Sequence, residues 1–305
     1  MCAKLRLSLF FKALTDLLNN ALYYSDEKAN FFHKDIKLIR DKRFNYLYRK
    51  CRTNGVELMF YSSENDKLYL KTKDNIYIET DSNYSVFIEV FIEKIYSLPL
   101  LFLQKEFYIF DIGMNRGYAS LYFANMKNCL GVYGFEILEE TYNNALRNFV
   151  YNKKLAEKIT AYNLGLLDKD DEVELYCVNG HDDIASTELH YIKNQSSAEK
   201  IKKHKFNKTK VHVKKSSVVL KNILESLDDS SCKIIKIDVE GAEYEIFKDL
   251  KEGNVINEFD LIIGECHKNI DDLEKYLDDF IRLNLGHDKN SYIAFAYLHK
   301  KHKNL

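Results

Sequence analysis

Beyond residue 100 the chain alternates short apolar runs with longer stretches in which apolar side chains return every three or four residues. The runs are 107–112, 130–135, 158–163, 232–237 and 259–263, short and rich in β-branched and aromatic residues, as buried strands are. Between them, 117–126, 139–152 and 242–250 carry helical spacing, seen for instance in Tyr244, Phe247 and Leu250. Strands and helices alternating at these lengths predict a doubly wound α/β sheet, mostly parallel. Residues 172–178 read as an added strand and 291–298 as the closing one.

Residues 1–100 are patterned differently. Leu7, Phe10, Phe11, Leu14, Leu17, Leu18, Ala21 and Leu22 fall on one face of an amphipathic helix, which would pack in the core or form a homodimer face. Residues 31–52 mix aromatic and basic side chains, and 67–72 and 75–79 alternate like the two arms of a hairpin. Pro99, the single proline, stands before the first strong strand and punctuates the boundary. The expected organisation is a small α+β cap or dimerisation segment over 1–100 and a main domain over 101–305.

Composition narrows the functional classes. With 305 residues, 46% of them hydrophobic, the chain can bury a substantial core. Its formal charge of -1 supplies no global field for nucleic acid, so no nucleic-acid partner is expected. Six cysteines without a C-x-x-C pair argue against a zinc knuckle or disulfide framework and for reduced thiols in a cytoplasmic protein. Lys12 and Asp16 interrupt the apolar stretch after Lys4 and Arg6, so neither a signal peptide nor a membrane span is expected there.

The first strand ends abruptly in Asp111, Gly113, Asn115 and Gly117, a tight loop at the start of a helix whose backbone N–H groups could hold a ligand. The second strand closes on Glu136, and an acid at that tip suits the two hydroxyls of a ribose. A dinucleotide fingerprint needs three glycines, and this loop has two, Gly113 and Gly117. S-adenosyl-L-methionine, which has no phosphate, is the better guest; a plain strand-to-helix turn is the bland alternative. In an open α/β sheet the ligand lies beyond the carboxyl ends of the strands, which gathers Asp111, Glu136, Asn163, Asp238, Glu240, Glu265 and His267. So many acids in one cleft require a cation, a metal or a shared proton. Taken singly, the acids of Asp238-Val-Glu-Gly-Ala-Glu243 could cap a helix N-terminus.

Phe110-Asp-Ile-Gly-Met-Asn-Arg-Gly117, Tyr133-Gly-Phe-Glu136 with Asn143-Asn-Ala-Leu-Arg-Asn148, and Ile235-Lys-Ile-Asp-Val-Glu-Gly-Ala-Glu-Tyr-Glu-Ile-Phe247 together resemble the FkbM-type S-adenosylmethionine-dependent methyltransferases. The resemblance covers residues 107 to 267 and leaves the first hundred unmatched. It implies a Rossmann-like class I methyltransferase sheet with a reversed last strand, and O-methylation of sugar hydroxyls in polysaccharides, glycolipids or natural products. It also implies that Asp111, Gly113, Asn115 and Gly117 line the methionine end of the cofactor and that Glu136 holds the ribose; Asn163 and Asp238 complete the expected cofactor set. Met114 and Arg116 depart from the family loop, which is usually small and apolar at these places.

A sugar hydroxyl is a poor nucleophile at neutral pH and needs a general base or a metal. His267 is the first choice of base, with Asp238 and then Glu265 behind it. Alternatively Asp238, Glu265 and His267 could hold a metal ion. Glu240, His181 and Asp182 are candidate substrate contacts. The stretch 193–215 holds nine lysines, among them Lys202 and Lys203. Such a run is most often solvated and mobile, but could serve the phosphates of a nucleotide-linked acceptor. RNA methylation, encouraged by the lysines and many tyrosines, and a non-catalytic cofactor-binding partner protein are the rival readings.

Overall fold

The computed structural model describes residues 42–302, apart from 63, 82–83, 100–101, 103, 179–180, 187–205, 284–287 and 290–291. The stripe of residues 7–22, and with it the expected dimer face, lies outside the described residues. Helix α1 (Lys42–Thr53) leads into an antiparallel sheet of β1 (Glu57–Ser62), β2 (Lys67–Lys71) and β3 (Tyr77–Thr80). The β2–β3 pair is the hairpin seen in the alternating pattern, with Leu68 opposite Thr80. A short α2 (Ser85–Phe87) runs on as a π-helical turn over Ile88–Glu93, which stops at Lys94 in the left-handed conformation (φ 54°).

These elements do not bury their apolar faces separately. Phe44, Leu47, Leu70, Ile78, Phe87 and Val90 share one core with Phe107, Ile109, Tyr118 and Phe123 of the following sheet. Continuous burial of this kind is what holds a three-stranded sheet too small to be stable alone.

The main sheet is built from β4 (Phe107–Ile112), α3 (Tyr118–Ala124), β5 (Cys129–Glu136), α4 (Glu139–Tyr151), α5 (Lys153–Ala156) and β6 (Ile159–Asn163) on one side of the first strand. The chain then makes β7 (Gly165–Leu167), β8 (Asp171–Val178), β9 (His181–Ser186), β10 (Phe206–Lys215) and α6 (Ser216–Leu224). It returns on the other side through β11 (Cys232–Ile237), α7 (Glu243–Glu252), a 3-10 turn (Ile256–Glu258), β12 (Leu261–Cys266), α8 (Ile270–Glu274), β13 (Phe280–Leu283), β14 (Asp288–Lys289) and β15 (Tyr292–His299). The strand order is β13-β15-β12-β11-β4-β5-β6, with β15 antiparallel to both neighbours, so the reversed last strand implied by the resemblance is present. Every residue of β11 and β12 is buried, which is why these strands read as unbroken runs rather than as alternation. Because the chain leaves β4 toward β5 and later pairs β11 against its other edge, a crevice opens at the carboxyl ends of β4 and β11.

A second sheet, ordered β7-β10-β8-β9, gives part of the lysine run a regular strand, while the lysines on it stay solvated as expected. Residues 206–215 of that run form β10, paired along its length with β8. Lys208, Lys210 and Lys214 share one face and reach Glu174 (2.8 Å), Glu172 (2.9 Å) and Asp170 (3.1 Å), while Val213 on the opposite face is buried. The lysines are the polar half of a period-two pattern, and cross-strand acids take up their charge. Among the described residues no helix is long and apolar enough to cross a membrane.

Candidate active site

The crevice holds a cleft of about 260 Å³ at the carboxyl ends of β4, β5, β11 and β12. Its floor is the loop after β4, in which Gly113 (φ 78°), Asn115 (52°) and Gly117 (76°) are left-handed. A Cβ on Gly113 would stand 1.8 Å from the Asp238 carbonyl oxygen, so only glycine lets the ends of β4 and β11 approach this closely. The loop's N–H groups are not held out toward a ligand, contrary to the sequence expectation. Gly113 and Met114 donate to the Phe135 carbonyl (3.1 and 2.8 Å), Asn115 to the Glu136 carboxylate (2.9 Å), Arg116 to the Asn115 side chain (2.7 Å) and Gly117 to the Met114 carbonyl (3.0 Å).

Gly113, Asn115 and Glu136 line the cleft, and three other expected cofactor residues stand behind it. Asp111 is fully buried, accepting from the Ser120 hydroxyl (2.6 Å) and paired with Lys236 (3.1 Å). Lys236 also donates to the Gly113 carbonyl (2.7 Å), so this pair holds the loop in place. Gly117 packs where a Cβ would strike the Phe149 ring, and the Asn163 amide donates to the Glu136 carbonyl (2.9 Å). The two departures in the loop have a local cause. Met114 packs over Gly134, and Arg116 pairs with Asp81 at 2.8 Å, tying the N-terminal segment to the loop.

At one end of the cleft Glu136 accepts from the N–H groups of Asn115 (2.9 Å) and Leu138 (2.8 Å), beside an apolar wall of Ile137, Leu138, Leu164 and Leu166. A fixed carboxylate acceptor next to an apolar slot is what the hydroxyls of a ribose joined to a purine require, so these residues fit the nucleoside of S-adenosylmethionine.

The other end is acidic. His267 is buried, with Nδ1 2.9 Å from Glu243 Oε1, and Nε2 faces Asp238 (3.7 Å), Glu240 (3.7 Å) and Glu265 (3.9 Å). Burial alone would lower its pKa, but the Glu240, Glu243 and Asp238 carboxylates carry it well above the ordinary histidine value. The surrounding carboxylates thus favour the protonated ring. Burial pushes the Glu265 carboxyl well above the usual range, and the charges of Asp238 and Glu89 add to the effect. Among the described residues, the trio whose ligand atoms lie within 4.8 Å of one another is Asp238, Glu240 and His267, with Glu240 in the place expected of Glu265.

Glu243 is fully buried at the start of α7 and accepts from the Val239 and Gly241 N–H groups as well as facing His267. Its bonds brace the turn before α7 rather than cap the helix, whose start has no side-chain cap, and the same carboxylate orients the histidine. Sequence reasoning missed Tyr96, Glu89 and Lys236, all of which line the cleft. A lysine inside a buried strand was a signal for Lys236; Tyr96 and Glu89 carried none. His181 and Asp182 fall on β9, the edge strand of the second sheet, and Lys202 and Lys203 lie outside the described residues.

The family model described as "Methyltransferase FkbM domain" matches residues 111–293, more than half the chain. No curated protein matches. Among solved structures, methyltransferase FkbM from Methylobacillus flagellatus KT is 15% identical with a TM-score of 0.40, covering 65% of this chain and 44% of its own. Sp1610 of Streptococcus pneumoniae, provisionally assigned as a tRNA (m1A22) methyltransferase, is 14% identical with a TM-score of 0.37, covering 65% and 66%. TrmK of M. capricolum, solved with S-adenosylhomocysteine, is 14% identical with a TM-score of 0.34, covering 66% and 69%. The chain thus spans less than half the length of the first of these and just under two thirds of the second. Scores this low speak to neither substrate nor partner.

Proposed function

The chain belongs to the FkbM family of S-adenosylmethionine-dependent methyltransferases, and from that premise we propose that it O-methylates a sugar hydroxyl of a polysaccharide, glycolipid or nucleotide-linked sugar. One observation carries the reading: a single cleft joins the fixed carboxylate of Glu136 to the cluster of Asp238, Glu240, Glu265 and His267. Carboxylates accept hydrogen bonds from hydroxyls, so Glu240 and Asp238 suit a polyhydroxylated acceptor. They equally disfavour a phosphate at the reacting centre. Among the described lining residues the basic side chains are Lys236 and His267, and Lys236 is engaged by Asp111 and Gly113. Any phosphate of the acceptor would therefore lie away from this end, and an RNA backbone is a poor fit to it.

The bound cofactor supplies an electrophilic methyl group on a sulfonium. The chain's own residues position the acceptor and take its proton. His267, whose carboxylate neighbours favour its protonated form, orients those carboxylates, whereas Asp238, half-buried and facing the cleft, is the fitting general base. This reverses the order of preference expected from sequence, where His267 came first. The described cysteines Cys51, Cys129, Cys177, Cys232 and Cys266 are free thiols, which supports a reducing, cytoplasmic setting.

The test is methyl transfer to a panel of glycans, glycolipids and nucleotide-sugars, read by mass spectrometry. A mass gain at one sugar hydroxyl supports the proposal. Binding of S-adenosylhomocysteine without turnover across the panel would favour the partner-protein reading, and turnover on RNA alone would replace the acceptor class.

A further inference from the structure

The cleft is not built by the family-matched residues alone. Ser85, Glu89, Val90 and Tyr96, all before residue 111 where the match begins, form part of its wall. Glu89 sits on the π-helical turn, a deformation often found beside functional sites. Tyr96 reaches furthest inward. It is 5% exposed, and its hydroxyl lies 2.9 Å from Asp238 Oδ2 and 3.0 Å from Glu265 Oε1. The Lys236 ammonium lies 5.1 Å from its ring centroid and is itself fixed by Asp111 and Gly113, so the ring is held from below.

A phenol has one proton to give. Two carboxyl oxygens within hydrogen-bond distance of one hydroxyl are both satisfied only when one carboxyl brings a proton of its own, so that the phenol donates to one and accepts from the other. The two partners are unlike. Glu265 is buried on the inner side (side chain 6% exposed), whereas Asp238 is more open (26%) and turns its second oxygen, Oδ1, toward the His267 ring.

Resting on the methyltransferase reading above, we propose that Tyr96 is a positioning residue of the transfer site, accepting from the Glu265 carboxyl and donating to Asp238 so that the acceptor hydroxyl meets one defined proton acceptor. The proton leaving the acceptor hydroxyl passes to the Asp238 carboxylate, which becomes a neutral carboxyl, and the electron pair of that O–H bond stays on the acceptor oxygen. Burial, with the neighbouring Asp238 and Glu89 charges, pushes the Glu265 carboxyl upward, the direction this division requires. One consequence is that proton placement in the cleft is governed by a side chain outside the matched domain.

The experiment compares Tyr96→Phe, Glu265→Gln and Asp238→Asn with the wild type. Infrared spectra of the protein alone at neutral pH should contain a protonated-carboxyl band that Glu265→Gln abolishes and Tyr96→Phe shifts. In turnover, Asp238→Asn should lose more kcat than Glu265→Gln, whose amide resembles a neutral carboxyl. Tyr96→Phe should lower kcat by about tenfold or more, with acceptor KM and S-adenosylhomocysteine affinity changing far less. A carboxyl band untouched by Glu265→Gln, a Tyr96→Phe variant with wild-type spectrum and kcat, or a reversed order of the Asp238 and Glu265 variants would each overturn the proposal. Absence of turnover in the wild type would instead count against the methyltransferase reading, because the infrared assignment needs no acceptor.

Discussion

Glu136 and Asn115 are joined at the mouth of the cleft: the Asn115 N–H donates to Glu136 Oε2 at 2.9 Å, while Oε1 takes the Leu138 N–H at 2.8 Å. The carboxylate at the end of β5 is thus the fixed point from which both the loop after β4 and the chain after β5 hang. A carboxylate offers about four lone-pair sites, so it can accept several hydrogen bonds at once.

Replacing Glu136 by Ala should therefore remove the ribose contacts and strip two N–H groups of their acceptor. With about 1–3 kcal/mol for each buried group left unsatisfied, affinity for S-adenosylhomocysteine should fall by tenfold or more. Isothermal titration calorimetry measures this directly; an unchanged dissociation constant would mean that the nucleoside lies elsewhere.

The acidic cluster should be independent of added metal. His267 faces Asp238, Glu240 and Glu265, and these carboxylates favour its protonated form, which would compensate them without an ion. Turnover is expected to persist in excess chelator. If activity disappears and returns with magnesium or manganese, the cation belongs at Asp238, Glu240 and His267, and the histidine must surrender its proton to admit it.

The sequence pattern revealed what depends on local periodicity. Strands β4, β11 and β12 are buried on both faces, so their apolar runs were unambiguous, and Glu136 followed from standing at the tip of β5. What stayed hidden depends on contacts far apart in the chain. Tyr96 meets Asp238 142 positions later, and nothing in the segment around Pro99 encodes that meeting. The lysines of β10 are solvated charge, as the run suggests, but that they lie on a strand opposite Glu172 and Glu174 is not legible from the run itself. Asp111 illustrates the converse: its position at a strand end was legible, but its ties to Ser120 and Lys236 turn it from a ligand contact into a brace.

The N-terminal sheet should depend on two asparagines of α4 and the turn after it. Asn148 accepts from the Glu79 N–H (2.7 Å) and donates to the Arg116 carbonyl (3.1 Å), and Asn152 accepts from the Tyr77 N–H (2.9 Å) and donates to the Tyr77 carbonyl (2.6 Å). Spaced four apart, the two amides take the place of a further strand along the edge of β3. Asn148→Ala should cost about 1–3 kcal/mol and lower the melting temperature by several degrees. Limited proteolysis should then cut first within residues 57–80, and a variant with wild-type melting and digestion would refute the clasp.

Asp260 should give the fold part of its acid sensitivity. It accepts from the Lys233 N–H (2.7 Å) and is paired with His302 (2.7 Å) and Lys301 (2.9 Å). Burial alone would raise its pKa, but these partners carry it below the ordinary aspartate value. A carboxyl depressed in the folded state binds its proton less readily there than in the unfolded chain. Its stabilisation is therefore complete above the unfolded value of about 3.9 and is lost as pH falls through the lower folded value. Asp260→Asn should destabilise the protein at neutral pH by about 1–3 kcal/mol, and the gap to the wild type should narrow toward about pH 3. Urea unfolding at the two pH values measures both quantities. A gap that stays constant across that range would show that the Asp260 charge contributes nothing to the fold.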